Sequence, residues 1–259
     1  MPLLAVCQQQ TDKKLGDPVV LLKGVCYSYS GVPVLNALDL NVRAGVTAIV
    51  GANGAGKSTL MSILSTAEAA HSGSVEILGQ DVNARGSLSS LRRRIGWLPQ
   101  GLEAPSGSAR DFVTYAAWLK KVPRRDRHKA VDQALGVVGL DPHADKPLRT
   151  FSAGMKRRAG IAQAIVASPD LLLLDEPTDS LDPVQRETLC KLVNELSADG
   201  TSVIVATHLA EVVEAVADQV VVLRSGVTVA ATTVDGAMAR AEVARWMVDM
   251  ISPPGGAKS

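Results

Sequence analysis

Residues 51–59 read Gly-Ala-Asn-Gly-Ala-Gly-Lys-Ser-Thr, which has the spacing G-x-x-x-x-G-K-[ST]. An apolar, β-branched run precedes them at Val46–Val50, and the residues that follow, 60–64, have the apolar character of a helix. A Gly-rich loop between a strand and a helix, ended by Lys and Ser, is typical of a phosphate-binding loop. The sequence around residues 51–59 therefore predicts an α/β protein with a phosphate site at this loop.

The chemistry of the loop follows from its residue types. Gly51, Gly54 and Gly56 allow backbone conformations that a side chain would block. Backbone N–H groups can then surround phosphate oxygens at the positive end of the following helix. The ammonium group of Lys57 would reach the β- and γ-phosphates, and the hydroxyl of Ser58 would bind Mg²⁺. The alternative is a Gly-rich turn that binds nothing, but Lys and Ser placed directly after the last Gly argue against it.

The composition is that of a globular protein. The chain has 259 residues, 46% apolar and 20% charged, which suits one large domain or a domain with an insert. Its net charge of +1 gives no general attraction to nucleic acid or to an anionic membrane. Three distant cysteines, Cys7, Cys26 and Cys190, fit neither a disulfide framework nor a zinc site and favour a reducing cytosol. No run approaches the length of a membrane-spanning helix.

Hydropathy patterns divide the chain into sheet-forming and helical parts. Alternating apolar residues over 19–29 and 34–42 predict antiparallel strands, whereas short continuous apolar runs at 171–174 and 203–206 predict strands buried on both faces. Helical periodicity dominates between residues 101 and 149. We therefore predict an α/β P-loop NTPase fold with a mostly parallel central sheet, an N-terminal antiparallel β-subdomain and an inserted helical subdomain.

The predicted domain boundaries follow from these patterns. We expect a flexible leader at 1–18, the main domain at 19–250 and a tail at 251–259, with the helical subdomain at about 101–165. The helix after the phosphate-binding loop is predicted to run to about Ala70.

Two segments have more than one interpretation. The basic run from Lys121 to Lys129 is interpreted as a solvated helix start, and a phosphate- or membrane-facing patch is the alternative. The apolar stripe near the C-terminus is interpreted as packing against the body, with partner docking as the alternative. It consists of Val243, Trp246, Met247 and Met250.

Polar side chains follow the predicted buried strands. Asp175 and Glu176 come directly after Leu171 to Leu174, His208 follows the strand at 203–206, and Gln100 follows a strand that ends before Pro99. In open α/β sheets, ligands bind at the carboxyl ends of the strands. An Asp in this place is the expected partner of Mg²⁺ on a nucleotide, and the neighbouring Glu176 can activate a water molecule. Acidic residues that merely begin a loop are the alternative.

The ordered motifs resemble those of the ATP-binding cassette (ABC) ATPases over roughly residues 19–230. They are Gly51 to Thr59, Leu98-Pro99-Gln100, Phe151-Ser152-Ala153-Gly154-Met155, Leu174-Asp175-Glu176-Pro177-Thr178, Ser180-Leu181-Asp182 and Thr207-His208. The resemblance implies that the chain binds and hydrolyses ATP with Mg²⁺ as cofactor.

The resemblance also implies roles for individual residues around the nucleotide. Tyr29 matches the aromatic residue that stacks on adenine, while Tyr27 is expected in the core. The phosphate-binding set implied is Gly51, Asn53, Gly54, Ala55, Gly56, Lys57, Ser58 and Thr59. The metal set implied is Ser58, Gln100 and Asp175. Glu176 matches the general base, His208 the contact to the γ-phosphate, and Gln100 the residue that senses Mg²⁺ and the lytic water.

The signature motif of the family, usually Leu-Ser-Gly-Gly-Gln, is altered here. Phe151 is a conservative change, and Met155 resembles the form found in drug, antibiotic and polysaccharide exporters. Ala153 adds a methyl group where backbone approaches a phosphate, so we expect a working but weaker contact. Ser152 and Gly154 are retained.

In the family, the signature caps the ATP bound by a second subunit. Ser152, Gly154 and Asp182 are therefore expected to act in trans, in a head-to-tail dimer, most simply a homodimer. A separate membrane permease is the other expected partner, received by a groove in the helical subdomain at the cytoplasmic face of the cell membrane.

Export of a drug-, lipid- or polysaccharide-like substrate is the main prediction for the direction of transport. The alternatives are an importer ATPase or a non-transport cassette acting on nucleic acid or ribosomes. The near-zero net charge argues against a nucleic-acid partner.

Overall fold

The computed structural model describes residues 18–84, 86–101, 106–234, 242–243 and 246–247. Two sheets organise these residues. The first is antiparallel with strand order β2-β1-β4-β5. Its strands are β1 (Val20–Tyr29), β2 (Val32–Val42), β4 (Ser72–Ile77) and β5 (Gln80–Asp81). The alternation of buried residues along β1 and β2, such as Leu22 opposite Leu40, explains why one face of this sheet is buried.

The second sheet is central and has strand order β10-β9-β3-β8-β7-β6. Its strands are β3 (Val46–Val50), β6 (Ile95–Leu98), β7 (Leu171–Asp175), β8 (Ser202–Thr207), β9 (Gln219–Arg224) and β10 (Val227–Thr233). All neighbouring strands are parallel except the edge strand β10, which is antiparallel to β9. The predicted α/β fold with a mostly parallel central sheet and an N-terminal antiparallel sheet is thus confirmed.

Seven α-helices have their bounds within the described residues, and residues 242–243 and 246–247 are also helical. The seven are α1 (Lys57–Leu64), α2 (Ser87–Arg94), α3 (Ala109–Leu119), α4 (Arg124–Val137), α5 (Ala153–Ile165), α6 (Pro183–Ala198) and α7 (Ala210–Val216). Helices α3, α4 and α5 pack on one another through residues such as Val113, Leu135 and Ile161. No helix among the residues that the structure describes is long and apolar enough to cross a membrane.

The central sheet separates distinct packing layers because successive side chains of a strand point to opposite faces. On β7, Leu171 and Leu173 pack with α1 and the antiparallel sheet, whereas Leu172 and Leu174 pack with the helical part of the chain. This two-sided burial explains the continuous apolar run that the sequence shows at this strand. Because both faces of β7 are buried, polar residues begin only at the carboxyl end of this strand.

Several element boundaries differ from the sequence-based predictions. Helix α1 ends at Leu64, not near Ala70, because Thr66 has a left-handed φ of 64° and cannot continue the helix. Strand β2 begins at Val32, two residues before the predicted strand at 34–42, because the turn after β1 takes up only residues 30 and 31. Helix α4 begins directly after Pro123, which explains the basic run as a helix start.

Parts of the predicted organisation lie on residues that the structure does not describe. Residues 1–17 of the predicted leader, the predicted tail and Met250 of the C-terminal stripe are outside the described ranges. Of the other stripe residues, Val243 and Met247 are buried against β3, β9 and α7. The packing interpretation of the stripe is confirmed for these two residues.

Candidate functional site

The phosphate-binding loop connects β3 to α1 with a backbone that requires glycine. Gly54 and Gly56 have φ values of 81° and 101°, and Gly56 forms the N-cap of α1. A Cβ atom at Gly51 would lie 2.5 Å from the carbonyl oxygen of Leu223 on β9, so the close approach of that strand excludes a side chain. The loop therefore presents the N-terminus of α1 and its free N–H groups to a ligand.

The other residues of the loop differ in their exposure. Ala55 is buried and its carbonyl accepts a hydrogen bond from Gly226, which ties the loop to the β9–β10 turn. Thr59 is buried in the first turn of α1, whereas Asn53 and Ser58 are exposed. The exposed side chains are thus available to a bound nucleotide, while the buried ones hold the loop in place.

Lys57 lies with its ammonium group folded back over the loop. Its Nζ donates to the carbonyl of Gly51 at 2.8 Å and lies 3.4 Å from that of Ala52. The same Nζ lies 3.3 Å from Oε1 of Glu176, and both side chains are buried. The structure therefore brings together two residues that are 119 positions apart in the sequence.

Asp175 ends β7 with a buried carboxyl group. Its Oδ1 has no hydrogen-bond partner in the structure. Burial raises the pKa of Asp175, and the nearby hydroxyl of Ser58 opposes this shift. Ser58 Oγ also lies 3.5 Å from Oε1 of Gln100, which follows β6.

These three residues offer oxygen atoms of the kind that Mg²⁺ prefers. The unpartnered buried oxygen of Asp175 is the observation that favours a cation here, since a buried carboxylate oxygen without a donor is destabilising. No cluster of three His, Cys, Asp or Glu residues that could hold a metal occurs in the described part of the chain. A Mg²⁺ ion held by Ser58, Gln100 and Asp175 would therefore rely on phosphate or water oxygens for its remaining ligands.

Glu176 has an unusual backbone conformation. Its φ is 47°, which costs a non-glycine residue about 1–3 kcal/mol and persists only where surrounding contacts hold it. Its N–H donates to the carbonyl of Ala206 on β8 at 2.9 Å, which fixes this conformation. Nδ1 of His208 lies 3.1 Å from Oε2 of Glu176, so the carboxylate lies between Lys57 and His208. The His208 ring itself remains half exposed.

The two tyrosines of β1 differ in exposure, and Tyr27 lies in the core as expected. Tyr27 is buried and its hydroxyl donates to Oε2 of Glu68 at 3.1 Å. Tyr29 is 49% exposed, and its ring meets the Tyr27 ring edge-on with a centroid distance of 4.9 Å. An exposed aromatic face of this kind can stack on a base. The next strand, β2, contacts the phosphate-binding loop, since a Cβ at Gly56 would lie 2.8 Å from Leu35.

The signature residues lie at the N-terminus of α5. Ser152 is the N-cap, and its Oγ accepts from the N–H of Met155 at 3.2 Å. Gly154 is buried, and a Cβ there would lie 2.7 Å from Oε1 of Gln185 on α6. Ala153 is exposed, so its methyl group meets no obstacle within the chain.

Asp182 plays a similar capping role at the start of α6. Its carboxylate accepts from the N–H of Gln185 at 2.9 Å. Among the described residues, no hydrogen bond or ion pair joins Ser152, Gly154 or Asp182 to residues 51–59. The structure thus groups the predicted residues into two sets, one around Lys57 and one at the starts of α5 and α6.

Arg157 is a buried site residue whose role the sequence analysis did not identify. Its guanidinium donates to carbonyls at the ends of both β6 and β7. The signal was present in the sequence, because Arg157 shares the buried face of α5 with Gly154 and Ile161, three residues before and four after it. A charged residue on such a face requires buried partners.

A groove lies beside the end of β6, between α2 and α3. It has a volume of about 790 Å³, and its lining includes Trp97, Pro99, Phe112, Tyr115 and Leu119. Four basic residues also line it, and no carboxylate is among its described lining residues. The basic residues are Arg92, Arg93, Lys120 and Lys121.

The comparison with protein families matches residues 35–179 to the ABC transporter family. The methionine import ATP-binding protein MetN of Caulobacter vibrioides is 37% identical over 77% of this chain, and the chain spans 62% of that protein. The nickel import ATP-binding protein NikO of Rhodobacter capsulatus is 33% identical over 88% of this chain and 94% of its own length. The macrolide export ATP-binding/permease protein MacB of Azoarcus sp. is 36% identical over 83% of this chain, which spans 34% of that protein.

Solved structures agree with this result. CbiO1 from Clostridium perfringens, part of the ABC transporter complex cbiONQ, has a TM-score of 0.74 and 32% identity over 84% of this chain and 89% of its own. The dimeric structure of MJ0796, a bacterial ABC transporter cassette, has a TM-score of 0.76 and 26% identity over 84% of this chain and 99% of its own.

Proposed function

This chain belongs to the ABC transporter family as an ATPase of the cassette type, and from that premise we propose that it powers a membrane transporter whose permease is a separate polypeptide. The observation that carries the proposal is the arrangement at one end of the central sheet. There, Lys57, Glu176 and His208 form a chain of contacts beside the unpartnered carboxylate oxygen of Asp175.

The contacts indicate how hydrolysis would proceed. The phosphates of ATP enter the loop and compete with Glu176 for the ammonium group of Lys57, because both ligands are anionic. Once Lys57 binds phosphate, the Glu176 carboxylate is free to accept a proton from the attacking water. His208 stays within hydrogen-bond reach of Glu176 and holds the carboxylate in place. Mg²⁺, when held by Ser58, Gln100 and Asp175, would neutralise charge on the phosphates.

The nucleotide site would be completed by a second copy of the chain. Ser152, Gly154 and Asp182 make no described polar contact to the loop of their own chain, and the first residues of α5 have N–H groups suited to phosphate. The solved cassette MJ0796 is described as dimeric. We propose a head-to-tail homodimer with two sites, each built from one loop and the partner's signature residues.

The groove beside β6 is the proposed docking site for the permease. Its apolar floor suits a short helix or loop with an aromatic or aliphatic anchor, and its basic residues suit acidic flanks on that segment. Gln100 directly follows Pro99 of the groove, so a bound segment would lie next to the metal-binding residues. The chain would then work at the cytoplasmic face of the membrane.

Import is the direction of transport that the relatives favour. MetN and NikO are import ATP-binding proteins, and further relatives at 33–35% identity are also methionine import proteins. Export, the main prediction from the sequence, remains the second candidate because Met155 resembles the exporter form and MacB is an export protein. A gene for a substrate-binding protein beside the permease gene would favour import.

The experiment that tests the proposed activity measures ATP turnover by the purified chain and by Glu176→Gln. We expect hydrolysis of Mg-ATP by the wild type, a loss of about 100-fold or more in the variant, and accumulation of the variant as an ATP-bound dimer on size exclusion. Glu187→Gln is the matched control, since Glu187 pairs with Lys191 on the exposed face of α6. A wild-type chain without turnover, even with its permease present, would contradict the proposal.

A further inference from the structure

Arg157 connects the signature helix to the end of β6. Its side chain is buried, with 6% of its surface exposed. Nη1 donates to the carbonyl of Pro99 at 2.8 Å and to the carbonyl of Gln100 at 2.9 Å. Arg157 thus holds the main chain where the groove ends at Pro99 and Gln100, the proposed metal ligand, follows.

The same guanidinium also holds the end of β7. Nη2 donates to the carbonyls of Asp175 and Glu176, the second at 2.6 Å. Nε lies 3.4 Å from the carbonyl of Pro177. These bonds lie on both sides of the Glu176 backbone, which has the left-handed φ of 47°. The carbonyls therefore help to keep Glu176 in a conformation that it would not adopt freely.

The chemistry of the site fits arginine specifically. A guanidinium has five N–H donors in a fixed plane, and here five carbonyl oxygens lie within reach of its three nitrogens. Lysine has three donors on one nitrogen and cannot bridge two strand ends in this way. Burial lowers the pKa of Arg157, and the nearby carboxylates of Asp179, Asp175 and Glu176 oppose this shift. Arginine remains charged in such surroundings because its ordinary pKa is so high.

The position of Arg157 on α5 relates these contacts to the proposed hydrolysis of ATP. It lies three residues after Gly154, in the helix that Ser152 caps. One side chain therefore connects the signature end of α5, the Gln100 segment and the Asp175–Glu176 segment. Among the described residues, no other side chain donates to main-chain carbonyls at the ends of both β6 and β7.

We propose that Arg157 is a positioning residue for ATP hydrolysis, which holds the main chains of Gln100 and Asp175–Glu176 in one frame fixed to the signature helix. This inference rests on the proposed function. The proposal predicts that without the guanidinium Glu176 shifts relative to Gln100 and Asp175, the proposed metal ligands. The phosphate-binding loop, which Arg157 does not contact, should keep its own hydrogen bonds.

The test compares Arg157→Met, Arg157→Gln and Arg157→Lys in the full-length chain. For Arg157→Met we expect kcat to fall about 100-fold with the affinity for ATP changed by less than about threefold, because misplacement of reacting groups lowers kcat and leaves loop binding intact. Arg157→Lys and Arg157→Gln should recover part of kcat. Arg158→Met is the matched control, since its Nη1 donates to Val138 and Gly139 at the end of α4.

A double variant tests whether Arg157 acts through Glu176. If it does, Arg157→Met added to Glu176→Gln should lower the residual turnover by less than about threefold, since both changes remove the same function. A full further loss of about 100-fold would overturn the positioning role, as would an Arg157→Met chain with the kcat of the wild type.

Hydrogen exchange tests the same inference without turnover. Peptides covering residues 95–101 and 171–179 should exchange faster in Arg157→Met than in the wild type, and at an unchanged rate in Arg158→Met. Unchanged exchange in both segments would overturn the inference, even if turnover falls. If the wild-type chain fails to hydrolyse ATP, that result counts against the proposed function. The hydrogen-exchange rates of residues 95–101 and 171–179 would still show whether Arg157 holds these two segments.

Discussion

Nζ of Lys57 lies 3.3 Å from Oε1 of Glu176, and both side chains are almost completely buried. The residue expected to bind phosphate thus contacts the residue expected to activate water. Since ATP is anionic, it must compete with Glu176 for the same ammonium group. The contact therefore couples occupation of the loop to release of Glu176, the proposed general base.

Replacement of Glu176 by Gln should strengthen ATP binding. Without the carboxylate, Lys57 has no anionic competitor and the phosphates meet less negative charge. We expect an affinity for ATP about tenfold higher in the absence of Mg²⁺, which corresponds to about 1.4 kcal/mol. Titration of fluorescent ATP into the two proteins measures this. Glu187→Gln should bind ATP as the wild type does, and a weaker affinity in Glu176→Gln would contradict the competition.

Two inactive variants should restore activity when mixed, if the site is shared between copies. Lys57→Met removes the phosphate contact, and Gly154→Asp places a carboxylate at the signature. A mixed dimer keeps one loop with Lys57 facing one intact signature, so an equal mixture should recover about a quarter of the wild-type turnover. Each variant alone should stay inactive. Absence of recovery in a mixture that forms mixed dimers would contradict the head-to-tail site.

The sequence alone was sufficient to predict that the candidate nucleotide-site residues lie close together, because they occupy fixed places relative to the buried strands. Lys57 follows the loop glycines, and Asp175, Glu176 and His208 each follow a buried apolar run. The parallel arrangement of β3, β8 and β7 then brings these strand ends together. This is why the alternation of strands and helices was enough to place them.

Other features depend on contacts between distant segments and were not predictable. The carbonyls that Arg157 contacts lie 58 and 18 residues away, and carbonyls have no residue-specific signal. The left-handed backbone of Glu176 follows from its bond to Ala206 on β8, and the residue type gives no indication of it. The early end of α1 depends on Thr66, which has no Gly or Pro beside it.

The stability of the antiparallel sheet should depend on pH through Tyr27. Burial and the neighbouring Glu68 carboxylate raise the pKa of Tyr27 to about 12. An unfolded chain has a tyrosine pKa of about 10. The folded state therefore favours the neutral phenol, and this contribution is complete below about pH 10 and lost as the pH rises towards about 12.

Absorbance titration of tyrosinate measures this effect. The titration curve of Tyr27→Phe should lack the tyrosine ionisation seen at the highest pH in the wild type. Between about pH 10 and 12, the free energy of unfolding of Tyr27→Phe should fall less than that of the wild type. Tyr115→Phe is the control, because Tyr115 is exposed in the groove. A Tyr27→Phe curve that keeps the highest ionisation would show that another tyrosine is responsible.

Reversal of charge in the groove should separate permease binding from hydrolysis. Arg93→Glu with Lys121→Glu changes two basic lining residues that make no described hydrogen bond to the phosphate-binding loop. In the organism whose genome encodes the chain, we expect the fraction of the protein bound to membranes to fall at least about tenfold. ATP turnover by the purified variant should stay within about twofold of the wild type. A control reversal at Arg125, on the exposed start of α4, should leave the membrane-bound fraction unchanged.

Gly154 offers the sharpest distinction between packing and nucleotide contact. A Cβ atom there would lie 2.7 Å from Oε1 of Gln185, at the end of a flexible side chain that can rotate away, so Gly154→Ala should lower stability by less than about 1 kcal/mol. Adding Gln185→Ala removes the clash and should restore the midpoint of thermal unfolding.

Turnover should respond differently from stability. If the backbone at Gly154 closely approaches a phosphate bound by the second copy, the added methyl still obstructs it, and the double variant should remain at least about tenfold below the wild type. The exposed residue Ala153 allows the opposite change, the removal of a methyl group from the same surface. Ala153→Gly should therefore raise ATP turnover by about two- to tenfold. Recovery of turnover in the double variant would mean that Gly154 is required only for packing against α6, and the contact in trans would then be wrong.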